Sequence, residues 1–412
     1  MKISLFFLFC SSLSLAQVTS RFEVYGSADH KQIFSDSLIN SQNSFLKLPD
    51  QSQTLEIRPE FQWQLTEPFS LVIRSRHLLQ RTQIPQSTQQ DQTTLLGFSD
   101  LTDLYFSLQA SDKTSFVVGL QNYQWGPAEI LSPSNIFYHF KNDQRSYYYK
   151  EKGRALLRAN HSLNENTQLT FISEPTDNRT QNWVAEVDFK PQSAFKIERQ
   201  LSTPVDLVAF VIGNSGPKGQ YVAGHFNYSI QETYSFYVDT KLEQNGSYYK
   251  ISPANSNLVL STTASNNSTK ALSVVGFRYE AEFDFRQEFI LNEAGFGQSD
   301  WSKAMLAITT LSPSLVANLN RFNRSGLELL SNSYSYTSLR FPDFGQSNQL
   351  HASTRLLKSL MQDSSVLQLN LEYDFSDAVV VSSELLIPMG KKNTEFNLVQ
   401  GQQVTLGFKA TY

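Results

Sequence analysis

The sequence predicts an all-β chain closed into a single antiparallel transmembrane barrel of about 18 strands (roughly 16 to 20), counted from ~10-residue segments. Three observations carry that expectation. Long runs alternate apolar and polar residues, tight turns alternate with long polar loops, and the final strand ends on an aromatic residue. Residues 1–16 are expected to be a signal peptide and residues 17–412 the barrel.

The leader comes first. Lys2 precedes the apolar run "ISLFFLFCSSLSLA", which is too short to span a bilayer, and Ser14-Leu15-Ala16 supplies small residues for cleavage before Gln17. Cys10 is the only cysteine, so the mature chain has none, which excludes a disulfide-stapled ectodomain. Loss of Lys2 with the leader leaves 33 basic against 38 acidic side chains, a net charge of −5. That balance is too mild and too mixed for a nucleic-acid partner. After Ala16 no apolar run approaches the ~20 residues of a membrane helix.

The strands follow from period-two patterning. In "LEIRPEFQWQL", Leu55, Ile57, Pro59, Phe61, Trp63 and Leu65 share one face, opposite Glu56, Arg58, Glu60, Gln62 and Gln64. Pro59 lacks a ladder donor and should weaken pairing there. Leu104, Phe106 and Leu108 share a face, as do Phe116, Val118 and Leu120 across the turn Ser111 to Lys113. Later, Phe289 and Leu291 oppose Arg286 and Glu288, and Leu367, Leu369 and Leu371 oppose Gln368, Asn370 and Glu372. Phe195 to Gly213 fits one strand or two.

Tight turns are expected near Thr66 to Pro68, Ser111 to Lys113, Pro191 to Ser193, Ile230 to Glu232 and Ser376-Asp377. Long loops are expected at Asp29 to Asp50, Gln80 to Ser99, Glu243 to Thr269 and Met389 to Gly401. Short turns on one rim and long loops on the other is the plan of an outer-membrane barrel. No linker, low-complexity tract or second composition regime divides the chain, and no extra helical segment of the kind that plugs a barrel is seen.

In "QVTLGFKATY", Val404, Leu406, Phe408, Ala410 and Tyr412 share the final face. This ending resembles the terminal-strand signal of bacterial outer-membrane proteins, with Tyr412 where Phe is usual. The whole pattern is similar to a Gram-negative, porin-like outer-membrane barrel. That resemblance implies the outer membrane as location, with its lipid and lipopolysaccharide and the barrel-assembly machinery as partners.

With apolar side chains facing lipid, the polar faces line the lumen. Arg58, Arg74, Arg76, Arg154, Arg158, Arg278, Arg286 and Arg355 fall there, among Glu56, Glu60, Asp239, Asp284, Glu288 and others. Such charges suit either a field for polar solutes or paired ladders that hold the wall together. None of the six histidines sits in an HExxH or GxSxG setting. The expectation is a non-enzymatic barrel with no cofactor and no metal site. A barrel enzyme stays as the alternative, because His225 on a polar face, or His77 near a strand end, could meet a Ser or Asp.

The stretch "QNYQWGPAEILSPSNIFYHF", Gln121 to Phe140, is too apolar for an ordinary outer loop. It joins the fifth and sixth strands, where general porins carry a loop folded into the lumen. Trp125 and Phe137 are therefore expected to pack on the inner wall, with corners at Gly126, Pro127 and Pro133. Glu129 is expected to reach Arg74, Arg76, Arg154 or Arg158. Gly119-Leu120-Gln121, Trp125-Gly126-Pro127, Leu131-Ser132 and Asn135 also resemble the Wzi-type capsule-assembly family. That resemblance implies surface attachment of capsular or exopolysaccharide. Two readings therefore stand beside each other: porin-like passage or binding of polar solutes, with saccharides the leading ligand, and polysaccharide attachment. The candidate binding residues are Arg58, Arg74, Arg76, Trp125, Glu129, Arg154 and Arg158.

Overall fold

A computed structural model describes residues 17–38, 40–44, 47–85, 92–137, 153–176, 191–201, 206–215, 219–231, 233–245, 247–254, 257–264, 269–309, 329–344, 348–398 and 400–412. The expected signal peptide and Tyr138 to Phe140 lie outside them. The first eleven strands are β1 (Gln17–Ile33), β2 (Gln51–Thr66), β3 (Phe69–Ile84), β4 (Gln92–Ser111), β5 (Thr114–Gln121), β6 (Arg154–Asn164), β7 (Thr167–Glu174), β8 (Gln192–Gln200), β9 (Leu207–Ser215), β10 (Gln220–Ile230) and β11 (Tyr234–Gln244). A separate hairpin, β12 (Ser247–Ala254) and β13 (Asn257–Ala264), precedes β14 (Thr269–Glu280) and β15 (Asp284–Asn292). Helix α1 (Gln298–Thr309) leads to β16 (Ser333–Phe344), β17 (Leu350–Ser359), β18 (Ser364–Ser376), β19 (Val379–Gly390) and β20 (Gln400–Thr411).

All strands but β12 and β13 form one 18-stranded sheet. Each pairs antiparallel with its neighbours in chain order, and β1 pairs with both β2 and β20, which closes the sheet into a barrel. At the seam the Phe408 ring lies over Gly26, where a Cβ would sit 2.2 Å from a ring carbon. Tyr412 and Phe22 exchange backbone hydrogen bonds, so both ends of the barrel sequence lie on one rim.

The period-two pattern sorts the wall into two faces. Leu55 and Ile57 face outward while Glu56 and Arg58 are buried inward. Phe171 is 46 % exposed beside Ile172 at 0 %, and the same contrast separates Phe210 from Val211 and Phe236 from Tyr237. Only a barrel with lipid outside and packing inside gives such apolar side chains both environments. Ladder contact between β2 and β3 lapses at Arg58 and Pro59, resuming at Glu60 in unchanged register. This is the weakening expected of a proline without a donor.

The connections alternate as expected, with several corrections. Short links at 67–68, 112–113, 165–166, 231–233, 281–283 and 377–378 join strands at one rim, while the connections from β1 to β2, β5 to β6, β15 to β16 and β19 to β20 leave from the other. Gln192 opens β8, so the tight turn placed at Pro191 to Ser193 is absent, and 165–166 and 281–283 supply turns the patterning missed. Phe195 to Gly213 is two strands, β8 and β9. The loops placed from Asp29 and from Gln80 to Ser99 shrink, because β1, β3 and β4 continue through them. β1 to β4 span 16–20 residues each, beyond the ~9–11 that cross a membrane, so they stand above it. Strand that meets water on both faces carries no alternation, which is why it read as loop.

Helix α1 lies in the connection between β15 and β16. Asp300 Oδ2 accepts the Gly297 N–H at 3.2 Å near its start, and Trp301 Nε1 donates to Asn393 O at 3.0 Å. Its loop joins the β19–β20 loop through Glu395, which accepts from Leu330 N (2.8 Å), Ser331 Oγ (2.7 Å) and Tyr334 Oη (2.6 Å). Burial pushes the Glu395 carboxyl above the ordinary carboxylate range, against the pull of these donors.

Candidate functional site

The loop after β5 runs inside the barrel. Trp125, Ile136 and Phe137 pack on Leu156, Ile172, Ala194, Val211, Tyr221 and Ala223, all inward residues of β6 to β10. Ala128, Ile130 and Leu131 pack on Tyr237, Val274, Ile290, Tyr334, Tyr336 and Leu357, inward residues of β11 to β17. One segment of 16 residues, Asn122 to Phe137, thus covers the inner wall from β6 round to β17. Burying each large apolar side chain contributes roughly 1.5–3 kcal/mol, which offsets the entropy of ordering the loop.

Two polar clamps hold it. At the first, Ser132 Oγ donates to Asp239 Oδ2 (2.5 Å) and the Ser134 N–H donates to Asp239 Oδ1 (2.7 Å). Ser134 Oγ lies 3.2 Å from His225 Nδ1, and His225 Nε2 lies 3.9 Å from Glu198 Oε2. Asp239 and His225 stand opposite each other on β11 and β10. Gly126 makes the corner at φ +91°, where a Cβ would meet Ser132 Oγ at 1.9 Å and Asp239 Oδ2 at 2.5 Å. Hydroxyl, imidazole and carboxylate follow in the order of a hydrolytic triad, yet Ser134 is 0 % exposed and no substrate reaches it. This cluster anchors the loop.

The second clamp grips the tip. The Glu129 N–H donates to Glu288 Oε1 at 2.6 Å, and Tyr237 Oη donates to the same oxygen at 2.6 Å. The Glu129 carboxylate lies 3.3 Å from Arg286 Nε and 3.7 Å from Arg355 Nε, and it also pairs with Arg340. Arg286 Nη1 donates to Pro127 O at 3.3 Å. Register explains the fit: Ser338 on β16 stands opposite both Arg286 and Arg355, so a small residue leaves room for the carboxylate between them.

The expectation that Glu129 meets Arg74, Arg76, Arg154 or Arg158 is therefore overturned. The loop carries Glu129 past β6 and on to β15, β16 and β17. Arg340 had no place among the candidates. Its cross-strand partner Asp284 was the available signal.

The other candidates line the rest of the wall. Arg58 Nε binds Glu56 Oε1 at 2.6 Å and its guanidinium lies 3.9 Å from the Tyr25 ring centre. Arg76 lies 3.6 Å from Glu56, and Arg74 reaches Glu60 at 2.7 Å and Asp103 at 3.7 Å. Arg154 pairs with Glu174 at 3.3 Å. Arg158 differs: it stacks 4.0 Å over the Tyr123 ring and pairs with no carboxylate among the described residues. Tyr123 in turn lies 5.4 Å from Trp125, with Lys196 Nζ 5.5 Å over the Trp125 ring.

No protein-family model and no curated protein matches the chain. Solved structures match it in fold. OpdL of Pseudomonas aeruginosa is 11% identical, with a TM-score of 0.56 over 96% of this chain and 99% of that chain. The outer membrane protein OpdK of the same organism is 6% identical, with a TM-score of 0.53 over 96% and 98%. OccK2 (OpdF) of P. aeruginosa, solved in complex with glucuronate, is 10% identical, with a TM-score of 0.52 over 96% and 98%. Over nearly its whole length, then, the chain has the fold of a bacterial outer-membrane β-barrel of this kind, closed by 18 strands and crossed by an inward loop.

Proposed function

We propose that this chain is an outer-membrane channel for polar solutes, with carboxylated saccharides the leading class, and that residues 1–16 are the signal peptide lost on export. The observation that carries the reading is the loop clamped inside the barrel, which leaves the arc from β18 through β1 to β5 as polar lining. Gln368 Nε2 and both amide atoms of Asn370 on that arc have no protein hydrogen-bond partner among the described residues, which suits water or a hydroxylated solute. Arg158 offers a cation without a carboxylate, stacked beside aromatic rings of the type that bind sugar faces. The glucuronate complex of OccK2 supports the same ligand class. Membrane lipid, lipopolysaccharide and the assembly machinery are the partners such a channel requires.

The test is swelling of proteoliposomes in isosmotic solute. Glucuronate should enter faster than glucose, and Arg158→Ala should erase most of that difference. No swelling in either sugar would reject the channel and favour polysaccharide attachment, a reading that rests on the Gly119-to-Asn135 stretch alone.

A further inference from the structure

The outward face of β3 carries a polar group in an apolar setting. Along this face Phe69, Leu71 and Ile73 give way to Ser75 and His77 before Leu79. His77 Nε2 lies 3.1 Å from Ser75 Oγ, and His77 Nδ1 lies 2.9 Å from Ser99 Oγ on β4. His77 and Ser99 are exposed and Ser75 is half-buried, while the flanking Ile57, Leu79 and Leu101 are 41%, 48% and 39% exposed. The group therefore opens on the outer, lipid-facing surface, away from the lumen where Arg74 and Arg76 point.

A fault in the ladder makes the contact. Arg74 pairs with Asp103, but Ser75 pairs with Leu101, so Thr102 is an extra residue on β4. In unbroken register His77 would stand opposite Asp100. The bulge turns Asp100 inward to face Arg76 and puts Ser99 opposite His77.

We propose that Ser75, His77 and Ser99 form an acyl-ester hydrolase site acting on membrane lipid from the outer wall of the barrel. With hydrogen on Nδ1, His77 donates to Ser99 Oγ, which fixes the ring and leaves Nε2 as the base facing Ser75. Ser75 Oγ attacks the ester carbonyl carbon while its proton passes to His77 Nε2. The carbon–alkoxy bond then breaks, and His77 returns the proton to the leaving alcohol. Water, activated by the same Nε2, cleaves the acyl-Ser75 ester and releases the fatty acid. Ser75 and His77 are the catalytic residues and Ser99 is a positioning residue.

The height of the site suits that substrate. His77 lies eight residues along β3 from Phe69, about 27 Å of strand. At a tilt of 35–45° that is about 20 Å of height, near the upper edge of a ~25 Å apolar band. Acyl esters lie at that boundary. Arg81, four residues further along the same face, is exposed and pairs with no carboxylate among the described residues, so it can meet a lipid phosphate.

The test uses the full barrel in detergent micelles with phosphatidylglycerol, and separately with purified lipopolysaccharide. Released fatty acid is measured by mass spectrometry, and Ser75 is probed with a fluorophosphonate. The wild type should release fatty acid and carry the adduct on Ser75. Ser75→Ala and His77→Ala should each lower release by about 100-fold or more. Ser99→Ala should lower it about tenfold and shift its pH profile, and Ser99→Asn, which can still accept the Nδ1 hydrogen, should restore it. Release from one lipid alone identifies that lipid as the substrate. If neither lipid is cleaved above the level of the Ser75→Ala/His77→Ala double variant, with both barrels folded by heat-dependent gel mobility, the proposal fails. It fails equally if Ser75 takes no adduct. Neither result bears on passage through the lumen.

Discussion

Asp239→Ala is expected to free the inward loop while the barrel stays closed. Asp239 is fully buried and accepts from Ser132 Oγ and the Ser134 N–H. Removing it leaves the buried Ser134 N–H unpaired and the Ser132 hydroxyl with Trp125 O, at 2.9 Å, as its remaining acceptor, a cost of up to roughly 3 kcal/mol. A loss of about 3 kcal/mol raises the undocked fraction about 100-fold. The barrel ladders do not depend on this carboxylate, so heat-dependent gel mobility should be unchanged. Proteolysis between residues 126 and 137 should become rapid in folded barrels. A loop as resistant as the wild type would show that apolar packing and the Glu129 clamp hold it without Asp239.

Glu129→Gln is expected to have a comparable effect at the loop tip and a larger one on ion selectivity. The Glu129 carboxylate is 8% exposed and meets Arg286, Arg355 and Arg340. Removing one partner of a buried ion pair costs about 3–5 kcal/mol. The lower end applies here, because Arg340 is 37% exposed and its contribution is screened. Three guanidiniums then share Glu288 and Asp284, so the lumen gains net positive charge. Reversal potentials in a salt gradient should shift toward anions, and Glu129→Asp should recover only part of the wild-type value. An unchanged reversal potential would place Glu129 away from the conducting path.

Much of this fold is legible in the residues themselves. Leu55, Glu56, Ile57 and Arg58 declare their faces because lipid and lumen impose opposite demands on neighbours. Trp125, Ile130 and Phe137 declare an inward loop because water would not hold them. What the chain does not declare is the far partner of that loop. Glu129 meets Arg286, Arg340 and Arg355 only because the 18-strand sheet closes and brings β15, β16 and β17 within reach of a loop that follows β5. Sequence distance carries no trace of that closure. The bulge at Thr102 is equally hidden, since one extra residue moves Ser99 from facing Leu78 to facing His77. The flange of β1 to β4 read as loop because, beyond the edge of the apolar band near His77 and Ser99, neither of its faces meets lipid tails.

Asn122 to Phe137 lies inside the lumen, where it should limit what passes. Single-channel conductance in a planar bilayer, compared between the wild type and a variant lacking Ala128 to Asn135, tests it most directly. The deletion should conduct more than the wild type, in a barrel that still folds by heat-dependent gel mobility. Equal conductance in the two, with the wild-type loop cut readily by protease in intact cells, would contradict it.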